Sequence, residues 1–313
     1  MKFSLQRNIL LKNYTTFKIG GRADYFFIAK KKEDLLKAIE WAKNKKISFF
    51  ILGGGSNILF SDKGFRGLVI KLEIKSCKFL DQKVISGSGY PLTKLVLKTA
   101  KKGLSGLESL VGIPGTIGGA IRGNAGAFGR EMKDVIEEVE ILKIGNCKLE
   151  INKLKKKECQ FGYRESIFKK KKNWIILEAI LKTKKGNKKK IEEKIKKILL
   201  KRAKTQPLKF PSAGSVFKNI PLEEIPKRVK EKFKDKIKRK PFPYLPAAIL
   251  IEALGFKGKR IGGAEVSEKH ANFIVNKKEA QAKDVLKLIK LIRKEVKEKF
   301  RINLELEINL IGF

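Results

Sequence analysis

The order of elements along the chain predicts an α+β fold, with a large N-terminal part and a smaller C-terminal one. Three observations carry that expectation. Strand-like and helix-like runs mix without the regular strand–helix–strand rhythm of a doubly wound sheet. A length of 313 residues corresponds to two domains at roughly 150 residues each. Finally, Gln206-Pro207 interrupts a long Lys-rich helical pattern and marks the main boundary.

Each element follows from local pattern. Asp24 to Ala29 reads as a strand, and Lys32 to Lys46 as a helix with Leu35, Ile39 and Ala42 on one face. Ser48 to Leu52 is a short apolar strand running into Gly53-Gly54-Gly55-Ser56-Asn57, and Leu68 to Leu72 is a further strand. Pro91 to Lys102 has proline in its first turn and Gly103 at its end, the usual helix punctuation. Val139 to Leu142 and Trp174 to Leu181 are strand-like, and the Lys-rich helix covers about Lys188 to Lys204. Beyond the break come a loop at Pro211 to Phe217, a basic stretch at Lys227 to Lys240 and a helix at Ala247 to Leu254. A strand at Asn272 to Val275 follows. Lys283 to Phe300 is amphipathic, with Leu286, Ile289, Val296 and Phe300 near one face. The alternation Leu304, Leu306, Ile308, Leu310 predicts a strand over Ile302 to Ile311.

Composition narrows the function. Lys plus Arg number 73 against 32 Asp plus Glu, a net charge of +41, which favours anionic partners such as nucleic acid, acidic lipid or phosphorylated ligands. The basic residues are spread along helices at every position, without aromatic-studded basic strands or a recognition helix, so nucleic acid is not the expected partner. Cys77, Cys147 and Cys159 are too scattered for a disulfide framework or a zinc site, and the single histidine, His270, excludes a His-rich metal cluster. No metal is expected. The N-terminus lacks a leader pattern and no run approaches the ~20 apolar residues of a membrane span, so a cytoplasmic protein without membrane insertion is expected.

The chemistry concentrates in glycine. Nine of the 27 glycines fall between Gly103 and Gly129, in the segment GLSGLESLVGIPGTIGGAIRGNAGAFG. Backbone without side chains presses against a flat ligand and aims N–H groups at phosphate. A second glycine loop, Gly53 to Asn57, sits directly after an apolar strand, where phosphate-binding turns lie. Two such loops point to a dinucleotide. Neither a G-x-G-x-x-G after a strand nor a G-x-x-x-x-G-K-[ST] occurs, so neither a Rossmann turn nor a Walker loop holds it.

At these loops the chain resembles the bacterial UDP-N-acetylenolpyruvoylglucosamine reductases. The resemblance runs in order through TTFKIGGRAD (Thr15 to Asp24), LGGGSNILFSDKGFRG (Leu52 to Gly67) and GIPGTIGGAIRGNAGAFG (Gly112 to Gly129). It continues through FGYRES (Phe161 to Ser166), PSAGSVFKN (Pro211 to Asn219), GGAEVSEKHANFIVN (Gly262 to Asn276) and LELEINLIG (Leu304 to Gly312). An ordered set covering nearly the whole chain is far more specific than one glycine loop.

The resemblance implies an FAD-binding fold of the vanillyl-alcohol oxidase type, made of two α+β subdomains at about 1–75 and 76–205. It implies a C-terminal α+β substrate-binding domain at 206–300 and a terminal strand, 301–313, returning to the FAD unit. FAD would be held by Gly53, Gly54, Gly55, Ser56, Asn57, Gly112, Pro114, Gly115, Gly118, Gly119, Asn124 and Gly126. No histidine precedes residue 270, so the FAD is expected to be non-covalent. NADPH is the implied co-substrate and a UDP-sugar the implied substrate, taking turns at one flavin face in a monomer. That arrangement needs no separate Rossmann domain.

The family reaction delivers hydride to the terminal enol carbon of an enolpyruvyl ether and protonates its neighbour. Charge then builds on the carboxylate, so the site needs fixed positive charge and a proton source. By resemblance, Arg164 supplies the charge, Ser215 the proton, and Glu307 is the C-terminal catalytic glutamate. Tyr163, Lys218 and Asn219 are the implied substrate-binding residues. On an extended strand Glu305 shares the face of Glu307 and is its rival; the distance to Ile311-Gly312 favours Glu307. The family usually has proline between these glutamates, and this chain has Leu306. His270 is left outside the catalytic set. The extra basic length between Asn219 and Ala247 offers two readings, a basic lid over the UDP diphosphate or a solvated helix, and the second is favoured.

Overall fold

In the computed structural model, which describes residues 4–145 and 148–313, the chain divides into two units. Cys147 lies outside the described residues. One unit comprises Met1–Ile9, Ala23–Gly54 and Arg66–Arg202; the other comprises Leu10–Arg22, Gly55–Phe65 and Ala203–Phe313. The sequence places its main boundary near 205, with subdomains meeting near 75 and a terminal strand at 301–313 returning to the first part. In the structure Leu10–Arg22 and Gly55–Phe65 group with Ala203–Phe313, and Phe17, Ile19 and Leu59 bury their side chains in that core.

The first unit holds two sheets. In the smaller, the strands run in the order Gln6–Leu10, Arg22–Ala29, Phe65–Leu72, Phe49–Leu52, the last two parallel. The helix Lys32–Asn44 buries Leu35, Ala38, Ile39 and Ala42, the stripe that 3.6-residue periodicity puts on one side. Its first turn is capped by Asp34, whose carboxylate accepts from the N–H of Lys30 and Lys31 at 3.0 and 3.1 Å. The larger sheet is antiparallel: Leu149–Lys155, Ile136–Ile144, Trp174–Lys182, Lys83–Gly87, Cys77–Leu80. Its middle strand is buried on both faces, which is why its sequence is nearly continuous in apolar residues. Ile175 and Leu177 face the core shared with the helix Lys32–Asn44, while Ile176, Ala179 and Leu181 face the helices Leu92–Lys101, Ile117–Arg122 and Lys188–Thr205.

The second unit is built on an antiparallel sheet of order Ser212–Ser215, Phe273–Asn276, Ala264–Val266, Arg260–Ile261. The helices Ala247–Ala253 and Ala282–Phe300 cover it with Leu250, Ile251, Val285, Leu288, Ile289, Ile292 and Val296. Asp62 caps the longer helix, accepting from the N–H of Ala282 at 2.7 Å and Lys283 at 3.0 Å. The basic stretch yields only a six-residue helix, Lys227–Lys232, followed by one 3-10 turn, because its apolar content reduces to Val229 and a few neighbours.

The expected terminal strand is shorter than its alternation implies. Only Asn309–Ile311 is strand, paired parallel with Ile58–Phe60. Upstream, Ile302, Leu304 and Ile308 bury in the core, and among the described residues the main chain there pairs in β fashion at one isolated bridge, Phe217 to Leu306. Burial enforces the alternation here without a ladder. Among the described residues no helix is long and apolar enough to cross a membrane, and no cluster of His, Cys, Asp or Glu is arranged to hold a metal ion.

Candidate active site

In the first unit the two glycine segments lie against each other. A Cβ on Gly54 would stand 2.5 Å from Gly115 Cα, and one on Gly53 would stand 2.9 Å from Thr116 Oγ1. No side chain fits between these backbones. One on Gly118 would stand 2.8 Å from Ser88 Cβ, and the Gly118 N–H donates to Ser88 O at 2.8 Å. Gly112 and Gly126 are equally closed, against Arg202 and Arg130, whereas Gly119 makes ordinary contact only. Pro114 lies in the turn before the helix Ile117–Arg122, a short helix hidden from sequence reading by its glycines.

Among the described residues, Ser88 Oγ and Thr116 Oγ1 are buried in this cradle without a hydrogen-bond partner. A buried hydroxyl is normally satisfied, so two orphans beside closely packed backbone fit a ligand rich in acceptor oxygens. Lys71, which sequence reading missed, donates its Nζ to Gly53 O at 2.7 Å, and burial lowers its pKa. It places a cation under the glycine loop. The strand Phe65–Leu72 is mostly buried and apolar, and its lysine belongs to no motif that would single it out.

Asn124, one of the residues expected at the cofactor, follows the helix Ile117–Arg122. It is fully buried, and its amide is committed to the protein: Nδ2 donates to Glu131 and to Gly162 O, and Oδ1 accepts from the N–H of Lys133. Its place is to hold the turn that carries Arg164. That turn, Gly162-Tyr163-Arg164-Glu165, closes with reciprocal bonds of 3.0 and 3.2 Å between its ends, and Arg164 sits at φ +55. An arginine in the left-handed region is strained, a feature that gathers at functional sites. Its guanidinium donates to Gly126 O at 3.2 Å, lies 3.9 Å from the buried Glu131 carboxylate and stacks over the Tyr163 ring at 5.1 Å. The glycine segment and the arginine turn are thus joined within one unit.

The second unit assembles Ser215, Lys218, Asn219 and Glu307. Ser212 pairs with Val275 and Ser215 with Phe273, so the strands fall out of step between the two pairs. This is a β-bulge, made possible by Gly214 at φ +78, and it re-aims Ser215. Thr16 Oγ1 pins the start of the strand, donating to Ser212 O at 2.7 Å. Beyond the bulge the chain meets the terminal segment: the Glu307 N–H donates to Val216 O at 2.8 Å, and the Lys218 N–H to Glu305 O at 2.9 Å. Ser215 and Glu307, 92 positions apart (307 − 215), are brought together by backbone pairing.

The same contacts separate the two rival glutamates. Glu305 is exposed and pairs with Lys218 Nζ at 3.1 Å, while Glu307 is half-buried. Asn219 Oδ1 accepts from the Ala247 N–H at 3.4 Å, at the start of a helix. Asn57 donates Nδ2 to Glu307 O at 3.0 Å, and its own carbonyl accepts from both the backbone and side chain of Asn309. It ties down the glutamate segment. Gly55, at φ +64, packs on Tyr14 and Thr15, and half-buried Ser56 follows it.

The glycine cradle with its unpartnered hydroxyls fits a nucleotide cofactor, and the matches that follow make the chain an FAD-dependent oxidoreductase. Residues 23–149 match the FAD binding domain family, and residues 206–311 match the C-terminal domain of UDP-N-acetylenolpyruvoylglucosamine reductase. The chain is 42% identical over 309 residues to the UDP-N-acetylenolpyruvoylglucosamine reductase of Caldanaerobacter subterraneus subsp. tengcongensis, covering 98% of this chain and 94% of the relative. It is 41% identical over 310 residues to that of Clostridium tetani, covering 99% and 92%. Among solved structures, the reductase from Thermus caldophilus superposes with a TM-score of 0.77 at 35% identity, covering 99% of each chain. The chain belongs to the UDP-N-acetylenolpyruvoylglucosamine reductase family.

Proposed function

We propose that the chain performs the reaction for which its family is named, with Arg164, Ser215 and Glu307 as catalytic residues. That reaction is NADPH-dependent reduction of UDP-N-acetylglucosamine enolpyruvate to UDP-N-acetylmuramate, a step of peptidoglycan precursor synthesis. FAD, held non-covalently, supplies the two-electron chemistry that links NADPH to the sugar nucleotide. Gly53, Gly54, Gly115 and Gly118 let the two loops that would hold it pack on each other without side chains, and Ser88 and Thr116 offer it hydroxyl donors. Residues up to about 205 serve the cofactor and residues 206–300 the sugar nucleotide. We read the enzyme as a cytoplasmic monomer.

As charge builds on the enolpyruvyl carboxylate, Arg164 holds it through its planar fork, carried on a backbone fixed in the left-handed region. Ser215 Oγ–H protonates the carbon next to the reduced one; a hydroxyl is a weak acid, but an enolate carbon is basic enough when geometry is fixed. Glu307 stands beside it as the carboxylate able to exchange that proton. Lys218 reaches the substrate by leaving Glu305, an exposed partner that holds it weakly. The observation that carries the reading is the Glu307 N–H bond to Val216 O at 2.8 Å, which sets the glutamate beside the serine segment.

The test separates the half-reactions. In S215A, flavin bleaching by NADPH should survive, while recovery of flavin colour on adding the enolpyruvyl sugar should slow by about 100-fold or more. Equal loss of both would remove Ser215 from the proton step.

A further inference from the structure

We propose that Asn272 is a positioning residue for the proton donor, its side-chain amide standing in for a peptide of the neighbouring strand. The ladder between Ser212–Ser215 and Phe273–Asn276 ends at the Ser215–Phe273 pair. Past that point the next two residues still bond to the same neighbour, but through one asparagine. The Val216 N–H donates to Asn272 O at 2.8 Å and the Phe217 N–H to Asn272 Oδ1 at 3.0 Å, while Asn272 Nδ2 donates to Phe217 O at 2.8 Å. The Asn272 N–H donates to His270 Nδ1 at 3.3 Å. All four polar groups of the residue are therefore engaged, and it is 3% exposed.

The consequence is geometric. Phe217 is 1% exposed, so its peptide needs partners inside the protein. Asn272 meets that peptide on one side, and the bridge from Phe217 to Leu306 meets the chain on the other. The four-residue segment from Ser215 to Lys218 is thereby clamped between Asn272 and residues 305–307. Ser215 is two residues from the clamped peptide and Lys218 is adjacent to it. Glu307 is bonded to Val216. Removing the amide leaves a buried N–H and C=O unpaired beside the bulge, and the segment moves to satisfy them. Asn272 touches no substrate in this proposal; it acts through Ser215, and so the proposal rests on the role given to that serine above.

The experiment uses flavin-loaded enzyme and follows both half-reactions in N272A, S215A and the double variant. In N272A, colour recovery with enolpyruvyl UDP-sugar should slow by about 10- to 100-fold, the usual consequence of displacing a reacting group by an ångström or less. Flavin bleaching by NADPH should stay within twofold. In an S215A background N272A should add less than about twofold, because residues acting through one group are non-additive. Equal slowing of both half-reactions, no slowing, or full additivity with S215A would overturn the proposal. Should S215A by itself leave colour recovery unchanged, the serine's role falls first and the asparagine's with it. N272D, which keeps the acceptor and the volume but loses the donor to Phe217 O, is read by the same criteria and covers the case in which N272A does not fold.

Discussion

The glycine cradle and the serine–glutamate cluster are built on opposite logics. The cradle works by what is missing: Gly54 and Gly115 approach so closely that a single methyl group would be in collision. The cluster works by connection. Ser215, Lys218 and Glu307 are ordinary residue types, made specific by a bulge, a buried asparagine and two backbone bonds to the terminal segment. Shape should therefore govern cofactor retention, and placement of a few polar atoms should govern the substrate step. Substitutions in one region should leave the other's measurement nearly untouched.

The largest effect should come from the pair of glutamates. E307Q is expected to slow the sugar-dependent step by about 100-fold or more with flavin content unchanged. E305Q removes only an exposed partner of Lys218 and should stay within about twofold. Single-turnover kinetics on flavin-loaded enzyme reads both. Equal effects would show that the half-burial of Glu307 carries no chemical meaning.

Next comes the cradle. G54A puts a Cβ 2.5 Å from Gly115 Cα, and overpacking of backbone on backbone costs about 1–3 kcal/mol. At about 1.4 kcal/mol per tenfold, flavin affinity should fall by about 10- to 100-fold, seen in the flavin-to-protein absorbance ratio after dialysis. The sugar-dependent step of the fraction that keeps flavin should be normal. A smaller change is expected from T116V. Thr116 Oγ1 is buried and has no hydrogen-bond partner among the described residues, so the apoprotein should lose no thermal stability. The flavin-loaded form should lose about 0.5–1.5 kcal/mol of binding, since there the hydroxyl has an acceptor to meet. Apo and loaded melting temperatures, measured side by side, separate the two.

The difference between the regions also explains what was legible in the sequence. Glycine reports its own reason: no other residue permits such close approach, so nine glycines in one segment, together with a second glycine loop after a strand, point to a backbone surface. The long elements were legible for a similar reason. The stripe Leu35, Ile39, Ala42 and the apolar run from Trp174 to Leu181 state their own burial. Ser215 and Glu307 state nothing, since a serine in a turn and a glutamate among alternating leucines have bland local readings; only the resemblance singles them out. Asn124 shows what the glycine segment leaves unannounced. It lies inside the recognisable glycine segment, yet its amide is turned into the protein to hold the arginine turn. The terminal alternation misled in a third way, because Ile302, Leu304 and Ile308 alternate by burial while only Asn309–Ile311 pairs as strand.

The smallest effect sharpens the contrast from the side of charge. The cradle's glycines cannot titrate, whereas the cluster rests on His270 through Asn272. Burial lowers the His270 pKa from 6.5; a backbone hydrogen bond raises it in part, Lys257 lowers it and Glu252 raises it. With the folded value below the unfolded one, the unfolded chain binds more protons as pH falls through 6.5, so stability is complete above that value and declines below it. One group contributes at most about 1.4 kcal/mol per pH unit, and only between its two pKa values. H270Q cannot gain a proton, so its melting temperature should fall less than the wild type's between about pH 7.5 and about pH 5.5. Protonation would also remove the acceptor that Nδ1 offers the Asn272 N–H, so the sugar-dependent step of the wild type should weaken over the same range while flavin retention holds. An unchanged melting profile in H270Q would mean that the acid response arises elsewhere, and that the cluster, like the cradle, is governed by shape.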